Sequence, residues 1–199
     1  MNVAVALTAS RLVLAPIFFI LFQLPGWTGR MTLPIIVALW VVFLMIELSD
    51  ILDGAVARRF NQVSDLGKLL DPFADVISRM TYFITFAAVG IMPGWIVLLL
   101  LYREYSIIFI RMMMYRTGTA LAARKGGKLK AVFYAIAGGT GILVAMSRSL
   151  EAFSPYASII EAAALAVFLI SLVLAYLSLS DYLLVFFRHM REKGGNSSD

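Results

Sequence analysis

Four aspartates, Asp50, Asp53, Asp71 and Asp75, fall within one stretch, DILDGAVARRFNQVSDLGKLLDPFAD. The first two are three residues apart and the last two four apart, so each pair shares a face if its segment is helical. Crowded carboxylates repel, and some of them protonate unless a cation is held among them. One or two divalent cations resolve the repulsion, with two the expected number, and all-oxygen ligands favour Mg²⁺ or Mn²⁺ over zinc. The residues in between point to a phosphate-bearing ligand. Gly54 removes a side chain beside Asp53, and Ala57 is a second small residue about one turn on. Arg58 follows four residues after Gly54, where a guanidinium can grip a phosphate. Ser64 offers a hydroxyl, and Gly67 opens the next segment.

The elements that carry these acids are apolar. The chain has 199 residues, 61% of them hydrophobic, and a mean hydropathy of +0.90, whereas soluble domains are nearer about 45–50% apolar. This composition marks an all-α integral membrane protein rather than a soluble one with an oversized core. Six spans are expected, set against the ~20 residues that cross a bilayer: about 3–24, 33–59, 68–90, 95–115, 131–146 and 156–187. The opening NVAVALTASR is milder, and reads as an interfacial segment that then turns into the first span. A signal peptide is the rival reading, but no basic region precedes the apolar run and no convincing cleavage site follows it. Glycine and alanine in the fifth span, AIAGGTGIL, suit close helix packing. No domain boundary or long repeat is visible, so residues 1–199 are expected to form a single membrane domain.

Loop charge gives an orientation. Arg58, Arg59, Lys68, Arg116, Arg124, Lys125, Lys128, Lys130, Arg188, Arg191 and Lys193 fall on one side, and Arg30 and Arg148 on the other. The positive-inside rule then places both termini and the acidic motif on the cytoplasmic face of the cell membrane. The net charge of +5 sits mostly in loops beside apolar runs, which fits anionic headgroups better than nucleic acid. The chain has no cysteine and one histidine, His189, read as a solvated tail residue. Thiolate and multi-histidine metal sites are therefore excluded. No G-x4-G-K-[ST] loop supports ATP chemistry, and Gly138–Gly141 is better read as helix packing. A divalent-cation transporter is the competing function for the acids, but they cluster near one face and no further acids lead to the other.

A second constellation is basic. Arg103 and Arg111 lie within the apolar fourth span, and Lys128 and Lys130 at the start of the fifth. Such a cluster opposite the acids suits a ligand with its own phosphate. For Arg103, Glu104, Glu47 and Arg79 the competing reading is a buried ion-pair network. Thr8 and Arg11 are candidates for the edge of the nucleotide pocket.

The pattern D-x2-D-G-x2-A-R-x8-G-x3-D-x3-D, matched at Asp50, Asp53, Gly54, Ala57, Arg58, Gly67, Asp71 and Asp75, resembles the signature of the CDP-alcohol phosphatidyltransferase family. The resemblance implies a dimeric six-helix membrane enzyme whose site lies at the cytoplasmic ends of helices 2 and 3. It implies displacement of CMP from CDP-diacylglycerol by an alcohol, with the four aspartates holding metal and Asp75 doubling as general base. Asp50, Gly54, Ala57, Arg58, Ser64 and Gly67 match positions around the CDP moiety. The segments LTASRLVLAP, YREYSIIFIR and GGKLKAVF are similar to members whose acceptor is glycerol 3-phosphate. Where those carry a threonine after the second lysine, this chain has Ala131. Inositol phosphate, or a neutral alcohol such as serine, is the alternative acceptor.

Overall fold

A computed structural model describes residues 3–28, 31–59, 65–116 and 125–195. Six long helices account for nearly all of them: α1 (Val3–Thr28), α2 (Leu33–Arg59), α3 (Asp65–Ala88), α4 (Gly94–Arg116), α5 (Lys125–Ser149) and α6 (Ala157–Gly195), with a short 3₁₀ turn at Glu151–Tyr156 before α6. Among the described residues, four segments are long and apolar enough to cross a membrane: Val5–Gly26, Leu33–Asp53, Leu129–Ser149 and Glu151–Arg188. With 24 and 23 residues, α3 and α4 have comparable length but carry the charges of both constellations.

Those charges are turned inward. Arg79, Arg103 and Glu104 are buried, while Ile77, Ile84, Leu98, Tyr102 and Phe109 on the same two helices are exposed. An outward apolar surface with inward polar groups is what lipid as solvent demands. Buried hydroxyls satisfy themselves along their own helices, as when Ser78 donates to the Ala74 carbonyl at 2.8 Å and Thr85 to that of Thr81 at 2.6 Å.

An aromatic core ties the bundle together on the far side of the acids. Phe18 of α1 meets Tyr82 of α3 at a centroid distance of 4.8 Å, and Phe22 meets Phe86 at 5.5 Å. Phe43 of α2 reaches Tyr82 at 5.4 Å, and Tyr134 of α5 reaches Phe83 at 5.2 Å. The small residues of α5 let these rings in: a methyl group on Gly138 would press into the Phe43 ring, and one on Gly141 would overlap the Phe86 ring. The expected packing role of this glycine segment is borne out. α3 ends where Gly90 takes a φ of 68°, open mainly to glycine, and Ile91 donates back to the Phe86 carbonyl at 2.8 Å.

Several element boundaries differ from expectation, among them the end of α6, at Gly195 rather than near residue 187. The opening residues do not turn into the first span: α1 is one helix through Pro16, whose ring sits on an exposed face. α3 begins at Asp65 rather than near Lys68, and α5 at Lys125 rather than Ala131. The last two helices continue into polar, charged sequence, because a helix already nucleated by its apolar part adds further residues cheaply.

Candidate active site

α1 packs against both α2 and α3, and this three-helix contact brings distant residues together. Asp50 and Asp53 project from the second half of α2, Asp71 and Asp75 from the first half of α3. Oxygens of Asp50, Asp53 and Asp71 lie within 4.8 Å of one another. Among them sits the guanidinium of Arg11 from α1. Its Nη1 donates to Asp50 Oδ1, and its Nη2 to Asp53 Oδ2 and Asp71 Oδ1, each at 2.6 Å. Thr8, one turn before Arg11, donates to Asp53 Oδ2 at 2.9 Å.

Asp75 stands beside this triad rather than in it. Arg79, four residues along the same helix, forms an ion pair through Nη2 with Asp75 Oδ1 at 2.9 Å, and the same nitrogen donates to Asp50 Oδ2 at 3.0 Å. Arg79 is thereby the link between the fourth acid and the other three. Glu47 lies close enough to Arg79 to feel its charge.

The basic constellation is assembled from α4, α5 and α6. Arg103 commits all three guanidinium nitrogens: Nε to the Ala175 carbonyl at 3.0 Å, Nη1 to Glu104 Oε1 at 2.8 Å and Nη2 to the Ser178 hydroxyl at 3.1 Å. Lys130 also donates to Glu104 Oε1 at 2.8 Å, and Tyr134 at 3.0 Å. The ion-pair network expected for Arg103 and Glu104 is therefore present, but Arg79 belongs to the acids instead. Arg111 differs again. Its guanidinium lies 5.6 Å from the Tyr182 ring centre and Nη2 donates to the Tyr182 hydroxyl at 3.2 Å, while Nε has no hydrogen-bond acceptor among the described residues.

Both constellations face one cavity of about 500 Å³. Asp50, Asp53, Asp71, Asp75 and Arg79 line one wall; Arg103, Glu104, Arg111, Lys130, Ser178 and Tyr182 line the other. Of the remaining expected site residues, Gly67 lies in the first turn of α3. Gly54, Ala57 and Arg58 lie on α2 and Lys128 on α5, their side chains outside the described set, and Ser64 lies outside the described residues.

The sequence placed Thr8 and Arg11 only at a pocket edge, and it missed Tyr134, Ser178 and Tyr182. A lone arginine in an apolar helix was the available signal for Arg11. Tyr134, one turn after Lys130, carried a weaker one, and nothing marked Ser178 or Tyr182.

The donor set suits a hard divalent cation. Three carboxylates converge, two of them partly open to the cavity with side-chain exposures of 30% for Asp50 and 53% for Asp71. A guanidinium already rests among them, so the cluster stabilises positive charge.

The CDP-alcohol phosphatidyltransferase family model matches residues 1–179. The chain is 32% identical over 203 aligned residues to the CDP-diacylglycerol–glycerol-3-phosphate 3-phosphatidyltransferase of Treponema pallidum, with 96% of this chain and 91% of that protein covered. It is 31% identical to the Bacillus subtilis protein of the same name, over 65% of this chain and 70% of that one. It is 29% identical to a probable phosphatidylglycerophosphate synthase of Mycobacterium tuberculosis, over 98% of this chain and 84% of that one. A transferase family offers nothing to the transporter reading of the acids. With its eight-residue motif, inward-facing carboxylates and a match across most of its length, the chain belongs to the CDP-alcohol phosphatidyltransferase family.

Proposed function

We propose that this protein transfers the phosphatidyl group of CDP-diacylglycerol to glycerol 3-phosphate, giving phosphatidylglycerophosphate and CMP. The observation that carries this is the cavity, with carboxylates on one wall and Arg111 and Lys130 on the other. A diphosphate held through cations needs the first wall, and an acceptor with its own phosphate needs the second. The names of the relatives above support glycerol 3-phosphate as that acceptor.

Asp50, Asp53 and Asp71 would hold Mg²⁺ or Mn²⁺, two ions in the full site, with Asp75 as a further ligand. Bound there, the cations neutralise the diphosphate and stabilise the departing CMP. Gly54, Ala57, Arg58, Ser64 and Gly67 would surround the CDP moiety. Arg111, whose Nε has no acceptor among the described residues, would meet the acceptor phosphate, with Lys130 and Lys128 as further basic residues for it. Arg103, with every nitrogen committed, holds Glu104 and α6 in place and acts on the acceptor from a distance.

Asp75 is the group to take the proton. Arg79 fixes one of its oxygens, and the other has no hydrogen-bond donor among the described residues. The acceptor hydroxyl attacks the phosphatidyl phosphorus and gives its proton to Asp75. The bond from that phosphorus to the CMP phosphate oxygen breaks, and CMP leaves with the electron pair.

The protein would act as one membrane domain, residues 1–199, with six spans, α3 and α4 included, and a homodimeric assembly. Both termini and the cavity would face the cytoplasm, where nucleotide and glycerol phosphate arrive from water while acyl chains stay in lipid. Purified protein with Mg²⁺ and CDP-diacylglycerol should release CMP when given glycerol 3-phosphate. Release with inositol phosphate or serine alone would reassign the acceptor, and none with any alcohol would contradict the transferase reading.

A further inference from the structure

Arg11 lies behind the carboxylates, not in front of them. It contacts Asp50, Asp53 and Asp71, yet it lines no part of the cavity that the same acids face. Its side chain is 1% exposed, and its Nε has no hydrogen-bond partner among the described residues. Its two terminal nitrogens make all three ion pairs, so the carboxylates determine where the guanidinium sits. A guanidinium buried without them would bear the full cost of desolvation.

The use of individual oxygens is informative. Asp50 has both oxygens engaged, Oδ1 by Arg11 and Oδ2 by Arg79. A divalent cation draws carboxylate oxygens to within about 2.0–2.6 Å, and the terminal nitrogens of Arg11 occupy that space at 2.6 Å. A cation shared by Asp50, Asp53 and Asp71 through the oxygens that Arg11 holds would compete with an arginine for them. Arg79 is shared with Asp75, outside the triad. Arg11 is the one in contact with all three acids.

We propose that Arg11 is a resident counter-cation of the acidic site, which holds the three carboxylates together before metal arrives and withdraws towards α1 when a divalent cation loads. The inference rests on the metal role assigned above to Asp50, Asp53 and Asp71. It makes metal binding an exchange of one cation for another, so the site stays assembled and partly neutralised at low metal concentration. Arg11 is thus a positioning residue that acts through the acids.

An ordinary structural role and this exchange role differ in sign. If Arg11 only shaped the site, its loss would weaken metal binding. If it competes, its loss strengthens metal binding while it destabilises the metal-free protein. The full-length protein in detergent can be titrated with Mn²⁺, free Mn²⁺ being read by electron paramagnetic resonance, with thermal unfolding recorded in EDTA. Arg11→Met is expected to bind Mn²⁺ about tenfold tighter or more than the wild type, since an adjacent positive charge is removed from the site, and to unfold at lower temperature in EDTA. Arg11→Lys keeps the charge on a head that cannot bridge three carboxylates, and is expected to bind Mn²⁺ about threefold tighter. It carries the test alone if Arg11→Met does not fold. Wild-type or weaker affinity in Arg11→Lys, or weaker affinity in Arg11→Met, overturns the proposal, as does an absence of Mn²⁺ binding in every form. CMP release by the wild type is scored separately, so failure of the exchange role and failure of the transferase reading are distinguishable.

Discussion

Asp75 keeps different company from the other three acids, and that is the basis for giving it a different task. Asp50, Asp53 and Asp71 share Arg11, whereas among the described residues Asp75 pairs with Arg79 through one oxygen. Asp75→Asn should keep the fold and lower kcat by about 10²–10⁴, the usual worth of a positioned base. Binding of CDP-diacylglycerol should survive better in Asp75→Asn than in Asp50→Asn, which removes a carboxylate from the triad. Comparing kcat with CDP-lipid affinity in the two variants checks this, and equal loss of binding in both would remove the distinction. The acids were legible in the sequence because three- and four-residue spacings convert directly into helix faces. Arg11 was legible only as a pocket-edge residue and not as a partner of the acids, since those partners lie 39, 42 and 60 residues away, and no local rule pairs residues at such separations. Glu104 was legible in part: its neighbour Arg103 suggested pairing, but the claims of Lys130 and Tyr134 on the same oxygen depend on how α4 meets α5.

At the scale of elements, α3 and α5 make the site possible from opposite directions. α3 carries Asp71, Asp75 and Arg79 near one end and Tyr82, Phe83 and Phe86 further along, so the helix that presents the acids is anchored by the aromatic core. α5 accommodates that core with glycine, because the rings of Phe43 and Phe86 occupy the space where side chains of Gly138 and Gly141 would stand. Gly141→Leu should therefore destabilise the bundle by about 1–3 kcal/mol, the range for an overpacked core, and lower the melting temperature in detergent. An unchanged melting temperature would mean that the α3–α5 contact is looser than the geometry describes. The glycine run was readable as a packing surface because small residues in an apolar helix have few other uses in lipid. Helix ends were less readable. Hydropathy marks where a chain can enter lipid, whereas a helix stops where its hydrogen bonds stop, and α5 starts in the basic sequence before its apolar run. The mild polarity of the opening residues misled in the same way: it suggested an interfacial segment, yet α1 is continuous, with the ring of Pro16 on an exposed face.

For the whole molecule, the two charged constellations lie on helices that gain from being buried by the others, and the apolar surfaces of all six face outward. The absence of cysteine gives a clean background for a test of sidedness. Ser154, in the 3₁₀ turn before α6, and Arg191, near the other end of α6, are exposed positions suited to cysteine substitution. In sealed, right-side-out vesicles a membrane-impermeant maleimide should label Ser154→Cys and spare Arg191→Cys until the membrane is opened. Labelling of both, or of Arg191→Cys alone, would overturn the assigned orientation. The central claim is the exchange of CMP for glycerol phosphate on a lipid, and the most direct measurement is its stoichiometry. Purified protein in liposomes with CDP-diacylglycerol, Mg²⁺ and radiolabelled glycerol 3-phosphate should yield CMP and lipid-borne label in equal amounts, and neither should form when Mg²⁺ is chelated. CMP without labelled lipid, or no CMP at all, would contradict it.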